Sequence, residues 1–539
     1  MPSAKKSASA SALTMSSHSE NSASTPPPPI AGLLLANAYP HPAGTPRLIE
    51  THISWVILAG DFAYKIKKPL NLGFLDFSSL DQRRFYCQEE IRLNRRLAPD
   101  IYLGVSSITG SPAEPHLDGP GQAFEWAVKM RAFPADATLD REAAIDNSQI
   151  DAIAELIARF HADIAVSPAE SDYGSMESIS QPVIANFDWL RKLLPSQSDP
   201  ALAARLDSLQ DWNRREGERL RPIFAERKRD GCVRECHGDL HLGNIAWVDD
   251  KPLPFDALEF NPALRHIDVI NEIAFLVMDL QHRSRPDLAW RLLNIYLEQT
   301  GDYHSGPSVL PYYLVYRAMV RAKVAALLAS EQDGAGDFSN SLGYLRLAEQ
   351  LAQPRRPTLL LMHGVSGSGK TWWSQHLLEQ LGGIRLRSDV TRKRLFGLRP
   401  LQDSSTIPGG IYSREASART LAALLEDASA ALAAGFLVIV DATFLHRSWR
   451  APFQALADSL HLDWHIVALT APPEQLRARI VQRQQNGADA SEAGLEVLAS
   501  QLEHQEAFAA EELPHTLTFE YGLDVSQGIV RVRAALDHK

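Results

Sequence analysis

The sequence predicts two folded domains of different class, an α+β domain followed by an α/β domain built on a parallel sheet. Three observations lead there. The chain has 539 residues, too many for one hydrophobic core at the usual ~100–200 residues per domain. Its first half places strand-like runs ahead of long helical stretches, the order of an α+β fold. Its C-terminal part alternates short apolar runs with helical patterns, which a parallel sheet covered by helices requires.

The bulk properties exclude some functions. Apolar residues make up 45% and charged residues 22%, as in an ordinary globular protein. The formal net charge of −11 argues against wholesale nucleic-acid binding, which needs a basic surface; a local basic cleft stays compatible with it. Cys87, Cys232 and Cys236 are the only cysteines, an odd and sparse set that fits a reducing compartment rather than a disulfide framework. Cys232 and Cys236 stand beside His237, but no second ligand pair lies nearby at zinc spacing, so they read as small buried apolar residues. No apolar run reaches the ~18 residues of a membrane span. The N-terminus carries Lys5 and Lys6 without the apolar stretch of a secretory signal. A cytoplasmic protein is the expectation.

Residues 1–30 are rich in Ser and Ala and end in the run Pro26–Pro29, which predicts a disordered tail. The first domain is expected over 31–352. It opens with strands at 48–58 and 62–66 around a Gly60-Asp61 turn, followed by a helix over 81–97 and a strand from Phe124 to Met130. An amphipathic helix covers 150–164, helical patterns fill 181–227, and a hairpin joins Asn244–Val248 to Leu253–Phe255 through Asp249-Asp250-Lys251. From 266 to 350 the pattern is mostly helical.

The segment HGDLHLGN, 237–244, sets His237, Asp239 and Asn244 at the spacing H-x-D-x-x-x-x-N. This resembles the catalytic-loop spacing of protein-kinase-like enzymes, and the resemblance implies that Asp239 accepts the proton of a substrate hydroxyl and that Asn244 holds Mg²⁺. Asp256 follows twelve residues after Asn244, beyond the second strand of the hairpin. Folding the hairpin brings the two oxygen ligands together, as a hard cation needs. Upstream, Lys65 is expected to reach nucleotide phosphates and Glu90, in the next helix, to pair with it. Lys67, on the same face as Lys65 under strict alternation, and Lys68, on the opposite face, are rivals for the first role; Glu89 is the rival for the second. No G-x-G-x-x-G precedes Lys65. With HGDLHLGN as the shared signature, and FDALEFNP (255–262) standing where that family keeps its metal-binding acid, residues 40–350 resemble the aminoglycoside phosphotransferase branch of the protein-kinase-like fold. The resemblance implies a small strand-rich lobe, a hinge near Glu125 to Met130 and a helical lobe whose 181–227 region shapes the acceptor pocket. It also implies a structural Asp268 that braces the catalytic loop.

Residues 353–357, with Pro354 and Pro357, read as a linker, and the second domain is expected over 358–539. Strands at 358–362, 384–387, 436–440 and 464–469 alternate with helices at 370–381, 414–434 and 449–459. The segment GVSGSGKT, Gly364 to Thr371, fits G-x-x-x-x-G-K-[ST] at every required position, between an apolar strand and a helix. Gly364, Gly367 and Gly369 let the backbone wrap close to phosphates, and the loop N–H groups, including those of Ser366 and Ser368, point inward at the anion. Lys370 adds charge at the β and γ oxygens, and Thr371 offers its hydroxyl to Mg²⁺. Asp441, after the strand Leu437–Val440, is placed to hold Mg²⁺ through its water shell. Asp389, nineteen residues after Lys370, projects from the strand edge where ligands collect in open α/β sheets. Arg392 shares its face if a helix starts there, and the pair suits phosphoryl transfer to an alcohol; the alternative is that Asp389 caps the helix. Arg477, Arg479 and Arg483 follow Pro472-Pro473. Arg479 and Arg483 share a face and are expected to close over the nucleotide, solvated surface arginines being the alternative. With SDVTRK (388–393) and VIVDATF (438–444), most of 357–510 resembles the P-loop kinases of small alcohols and polynucleotide 5′-hydroxyls, of the AAA or zeta-toxin type.

The expected protein is an ATP- and Mg²⁺-dependent phosphotransferase with two nucleotide sites, each moving a γ-phosphate to a small-molecule hydroxyl. Two alternatives stand beside it. One is a regulatory ATP-binding protein with an idle domain, for which the missing glycine-rich loop speaks. The other is a polynucleotide 5′-hydroxyl kinase drawing on Arg385, Arg387, Arg392, Lys393 and Arg394, against which the overall acidity and the lack of stacking motifs count.

Overall fold

The computed structural model describes residues 26–537 apart from 72, 74, 143, 196–198, 331–335, 406, 408, 409, 487 and 488; most of the expected tail, 1–25, lies outside the described residues. Backbone contacts divide the chain into two units, Met1–Arg283 with Pro311–Ala352, and Ser284–Leu310 with Gln353–Lys539.

In the first unit a short helix, α1 (Pro28–Leu33), begins inside the stretch expected as tail, because Ile30 and Leu33 bury against a sheet core. The sheet is antiparallel, in the order β1 (Arg47–Glu50), β2 (Ser54–Ala59), β3 (Phe62–Lys67), β6 (Glu125–Arg131), β4 (Tyr102–Gly110), β5 (Pro115–Leu117). The single strand expected over 48–58 is therefore two. Thr51 Oγ1 accepts from Ser54 N–H at 2.9 Å and donates to Ser54 O at 3.0 Å, closing a reversal of three residues. Alternation sends Ile57, Tyr64 and Ile66 into one core, and Val56 and Ala63 into another against Cys87 and Ile91 of α2 (Leu80–Asn94). A capping box of Ser79 and Gln82 starts α2.

Next come α3 (Asn147–Asp163), α4 (Met176–Leu193) and α5 (Pro200–Arg229). Strands β7 (Val233–Glu235) and β10 (His266–Asp268) pair, and the hairpin β8 (Ile245–Val248) and β9 (Lys251–Pro254) lies between them in sequence, with α6 (Pro262–Arg265) after it. Asp249 and Asp250, at φ 51° and 57°, make the turn, the paired left-handed residues of a type I′ hairpin. The buried helix α7 (Val269–His282) follows. The next helix, α8 (Pro286–Thr300), lies in the stretch that belongs to the second unit, and α9 (Gly306–Ser330), from Pro311 onward, and α10 (Ser339–Leu351) return to the first.

The second unit holds an all-parallel sheet, in the order β12 (Ile384–Arg387), β13 (Leu437–Asp441), β11 (Thr358–His363), β14 (Trp464–Leu469), β15 (Thr516–Phe519). Its helices are α11 (Lys370–Leu381), α12 (Ser388–Leu395), α13 (Arg414–Ala433), α14 (Arg447–Ser459), α15 (Pro473–Asn486), α16 (Leu495–His504) and α17 (Val525–Asp537). Leu360, Met362, Ile439 and Val467 pack on one face with Trp373, Leu377, Val532 and Trp290 of α8. Their strand neighbours Leu359, Leu361, Val438 and Val440 are equally buried, so the strands read as continuous apolar runs. By contact, 284–310 goes with this unit and not with the 31–352 domain expected from sequence. Asn294 shows why. Its Nδ2 donates to Gly383 O at 3.0 Å and its Oδ1 accepts from Arg385 N–H at 2.7 Å, which satisfies backbone groups at the edge strand β12. Among the described residues, no helix is long and apolar enough to cross a membrane.

Candidate functional site

Strand alternation turns both Lys65 and Lys67 toward α2. Lys65 Nζ donates to Glu90 Oε1 at 2.9 Å and Lys67 Nζ to Glu90 Oε2 at 2.7 Å. Lys65 also pairs with Asp256, and Lys67 with Glu259. Burial opposes the charge on Glu90, yet the two ammonium groups hold its carboxyl well below the usual range. Burial likewise opposes the charge on Lys65, which Asp256 and Glu90 restore. The rivals separate: Lys68 pairs with Glu50 at 2.7 Å, and Glu89 with Arg92 at 2.8 Å.

The loop after β7 buries Asp239, and Asn244 Nδ2 donates to Asp239 O at 2.9 Å and Oδ2 at 3.1 Å. Burial pushes the Asp239 carboxyl up to about 7, against the pull of Arg321 and Arg317. Phe255 N–H donates to Asn244 O at 2.9 Å, which ties the residue before Asp256 to Asn244. Asp256 itself sits at φ 62°, a left-handed conformation uncommon outside glycine, and its N–H donates to Tyr102 Oη at 3.0 Å. Among the described residues, Asn244 Oδ1 is buried without a partner. An orphaned amide oxygen with these carboxylates is an all-oxygen donor set, which fits Mg²⁺.

Asp268 does different work from that expected. Arg227 clamps it at 2.7 and 2.8 Å, and its Oδ1 caps α7 by accepting Ile270 N–H at 2.8 Å. The loop is braced by Glu272, which accepts His237 N–H at 3.1 Å and Gly238 N–H at 2.6 Å and pairs with His161 Nε2 at 2.9 Å. An acid inside an apolar helix was the signal for this residue. His161, Cys236 and Glu272 form a buried cluster, but these N–H donors already occupy the carboxylate. Beside the lysines lies an apolar cleft of about 750 Å³, lined by Val56, Ala63, Met130, Phe133 and Phe255 among others.

In the second unit, the loop from β11 to α11 places Gly364, Gly367 and Gly369 at φ 144°, 82° and 100°, values that side-chain-bearing residues resist. Lys370 Nζ donates to Val365 O at 3.0 Å. Burial lowers the Lys370 pKa, while Asp441 and Asp389 oppose the shift. Ser374 Oγ donates to Asp441 Oδ2 at 3.2 Å, tying the start of α11 to the end of β13. The chain leaves β11 for β12 on one side and reaches β14 on the other, so the loop lies in the crevice where such sheets bind ligands.

A cleft of about 1200 Å³ is bordered there by Lys370, Thr371, Asp389, Arg392, Asp441, Arg479 and Arg483, together with Ser366, Gly367 and Gly369. Most of the C-terminal residues named from the sequence thus converge on one space; Gly364, Ser368, Arg385, Lys393, Arg394 and Arg477 do not line it. A neighbouring cleft of about 940 Å³ shares Gly369, Trp372 and Arg479, and adds Ser368, Phe519 and Tyr521. Asp389 does not cap its helix: the N-cap of α12 is Arg387, with no side-chain cap bond. Arg479 Nη1 donates to Gly367 O and Ser368 O at 3.2 Å each, with its guanidinium 5.2 Å from the Tyr521 ring centre, and Arg483 Nη2 donates to Ala493 O at 2.6 Å. Sequence reasoning missed Ser374, Tyr412 and Trp449; the last two also line the larger cleft.

A family model described as an AAA domain matches residues 359–508. Uncharacterized proteins of Mycobacterium bovis and Mycobacterium tuberculosis are 31% identical to this chain over 446 residues, 82% of this chain and 87% of theirs. Among solved structures, a putative kinase from Chloroflexus aurantiacus is similar at 21% identity, covering 33% of this chain and 98% of that one with a TM-score of 0.28. The APS kinase of Mycobacterium tuberculosis is similar at 19% identity, covering 34% of this chain and 100% of that one with a TM-score of 0.27.

Proposed function

Since this chain belongs to the family of those mycobacterial proteins, we propose that it is an ATP- and Mg²⁺-dependent phosphotransferase acting on small-molecule hydroxyls, with a nucleotide site in each unit. One observation carries the reading: the glycine loop, Lys370, Thr371, Asp389 and Asp441 border a single cleft. Phosphoryl transfer needs positive charge on the phosphate oxygens and an oxygen nucleophile held in line. The loop N–H groups and Lys370 hold the phosphates. Thr371 and Asp441 would hold Mg²⁺, which would supply positive charge to offset that of the phosphates. Asp389 takes the proton of the accepting hydroxyl, and Arg479 shields the transferred group. The neighbouring cleft, with Tyr521, Trp372 and Arg479, offers the flat faces a nucleobase stacks on.

In the first unit the same division of labour falls to Lys65 with Glu90 for the phosphates, Asp239 for the hydroxyl proton, and Asn244 with Asp256 for Mg²⁺; the apolar cleft receives the base. This is the protein-kinase-like, aminoglycoside-phosphotransferase-like reading of that unit. A second reading, in which this unit binds nucleotide without turning it over, draws support from the Lys65–Asp256 pair and the absence of a glycine-rich loop. Calorimetry with the Mg²⁺ complex of AMPPNP tests the two-site reading: the intact chain binds two nucleotides and Lys370→Ala binds one. A stoichiometry of one in the intact chain excludes it. ATP consumption with hydroxyl acceptors then separates active from idle, since Asp239→Asn and Asp389→Asn each remove one activity only if both units turn over.

A further inference from the structure

We propose, resting on the phosphotransferase reading of the C-terminal cleft, that Gln501 of α16 is a catalytic residue there, its carboxamide oxygen anchored on the phosphate loop and its Nε2 donating to the phosphoryl group in transfer.

Helix packing puts it in place. In α16, Leu498 is 2% exposed and packs with Val365, Leu445, Leu476 and Ile480. Gln501 follows three residues later and shares that face of the helix. The packing of Leu498 on Val365 thereby sets the Gln501 side chain beside the next loop residue. Ser366 N–H donates to Gln501 Oε1 at 2.7 Å. Ser366 is buried, so its N–H needs a partner within the protein or the ligand. The loop motif offers this N–H to an anion, and here a side chain has taken it.

The bond also settles how the amide is turned. Only its oxygen can accept, so Oε1 faces Ser366, and Nε2, with two N–H groups, is the other end. Among the described residues Nε2 has no protein acceptor. Gln501 borders the cleft that holds Lys370, Asp389 and Asp441. Neither Gln501 nor Ser366 borders the neighbouring cleft with Phe519 and Tyr521. The amide thus stands on the side of the terminal phosphate and the accepting hydroxyl, away from the base.

That position suits one step. The hydroxyl oxygen forms a bond to the γ-phosphorus as the bond from that phosphorus to the β–γ bridging oxygen breaks, and charge spreads over the three equatorial oxygens. A donor whose direction is fixed beforehand stabilises that charge without reorganising. Glutamine supplies the anchoring oxygen and the donor on one uncharged plane. A glutamate would keep the anchor but turn a negative oxygen toward the phosphates. The proton passes to Asp389, ADP leaves, and Gln501 neither gains nor loses a proton.

The test titrates the full chain calorimetrically with ADP and Mg²⁺, with and without aluminium fluoride, which stands in for a phosphoryl group midway between two oxygens. The site that disappears in Lys370→Ala is the one read. In the wild type, fluoride is expected to tighten ADP binding at that site. In Gln501→Met the affinity for ADP alone is unchanged, while the gain from fluoride falls about tenfold or more, the size of one lost transition-state donor. Gln501→Glu keeps the acceptor for Ser366 N–H and is expected to lose the gain as well. A gain that survives in Gln501→Glu and falls only in Gln501→Met shows that the side chain merely anchors the loop, and overturns the proposal. Tighter ADP or AMPPNP binding in Gln501→Met with the gain intact shows a plug of the empty loop, and also overturns it. So does loss of ADP binding itself in both variants, or a wild type that binds ADP without any gain. None of these outcomes touches nucleotide binding by the wild-type cleft. Failure of ADP and AMPPNP to bind there overturns the phosphotransferase reading, and this proposal with it.

Discussion

Lys65, Lys67, Glu90 and Glu259 are buried together, so each depends on the others for its counter-charge. Glu90→Gln leaves two buried ammonium groups short of a carboxylate and is expected to cost the first unit about 3–5 kcal/mol, read from denaturant unfolding. Lys67→Met combined with Glu259→Leu is expected to cost less than the sum of the single changes, because the pair leaves together. Lys323, 2% exposed on α9, makes a separate prediction. Burial pushes its pKa down to about 7, while an unfolded lysine titrates near ~10.4. Between those values the unfolded chain binds the extra proton, so stability rises with pH across that window, and the cost of the charge is full below it. Lys323→Met is therefore expected to raise Tm most at pH 6 and progressively less toward pH 10. A gain that stays constant with pH contradicts the assignment.

At the scale of elements, the glycine loop and α8 carry the clearest consequences. Gly367 sits at φ 82°, and an added Cβ would fall 2.8 Å from Leu476 O. Gly367→Ala is expected to weaken AMPPNP binding in the second unit by about tenfold or more while the first unit binds as before. Asn294→Ala leaves Gly383 O and Arg385 N–H at the sheet edge without their partner, at an expected cost of about 1–3 kcal/mol confined to the second unit's unfolding transition. Much of that unit was legible beforehand: 370–381, 384–387 and 464–469 stand where expected, because strands buried on both faces read as apolar runs between turn signals. The break between β1 and β2 was not legible, since alternation runs on through a reversal closed by Thr51. Thr516–Phe519 is short and only its last residue is buried, so β15 gives no such run. Helical periodicity in α8 marks a buried face without saying which core covers it. The site residues divide in the same way. The spacing of Asp239, Asn244 and Asp256 is visible in one dimension, whereas the brace from Glu272 depends on partners far along the chain.

For the whole molecule, the backbone passes between the two units three times, after Arg283, Leu310 and Ala352. A fragment beginning at 353 lacks Trp290, Asn294 and Glu298, and is expected to melt at a higher temperature once a peptide of residues 284–310 is added, as followed by circular dichroism. No rise on adding that peptide excludes α8 as part of that unit.

Gene fission at the proline-marked seam would therefore not release two self-sufficient proteins. Any naturally shortened relative that stops near position 352 should have replaced the tryptophan, asparagine and glutamate of α8 with residues content in water. One that starts near 353 should have acquired some other helix to shield the rim of its sheet.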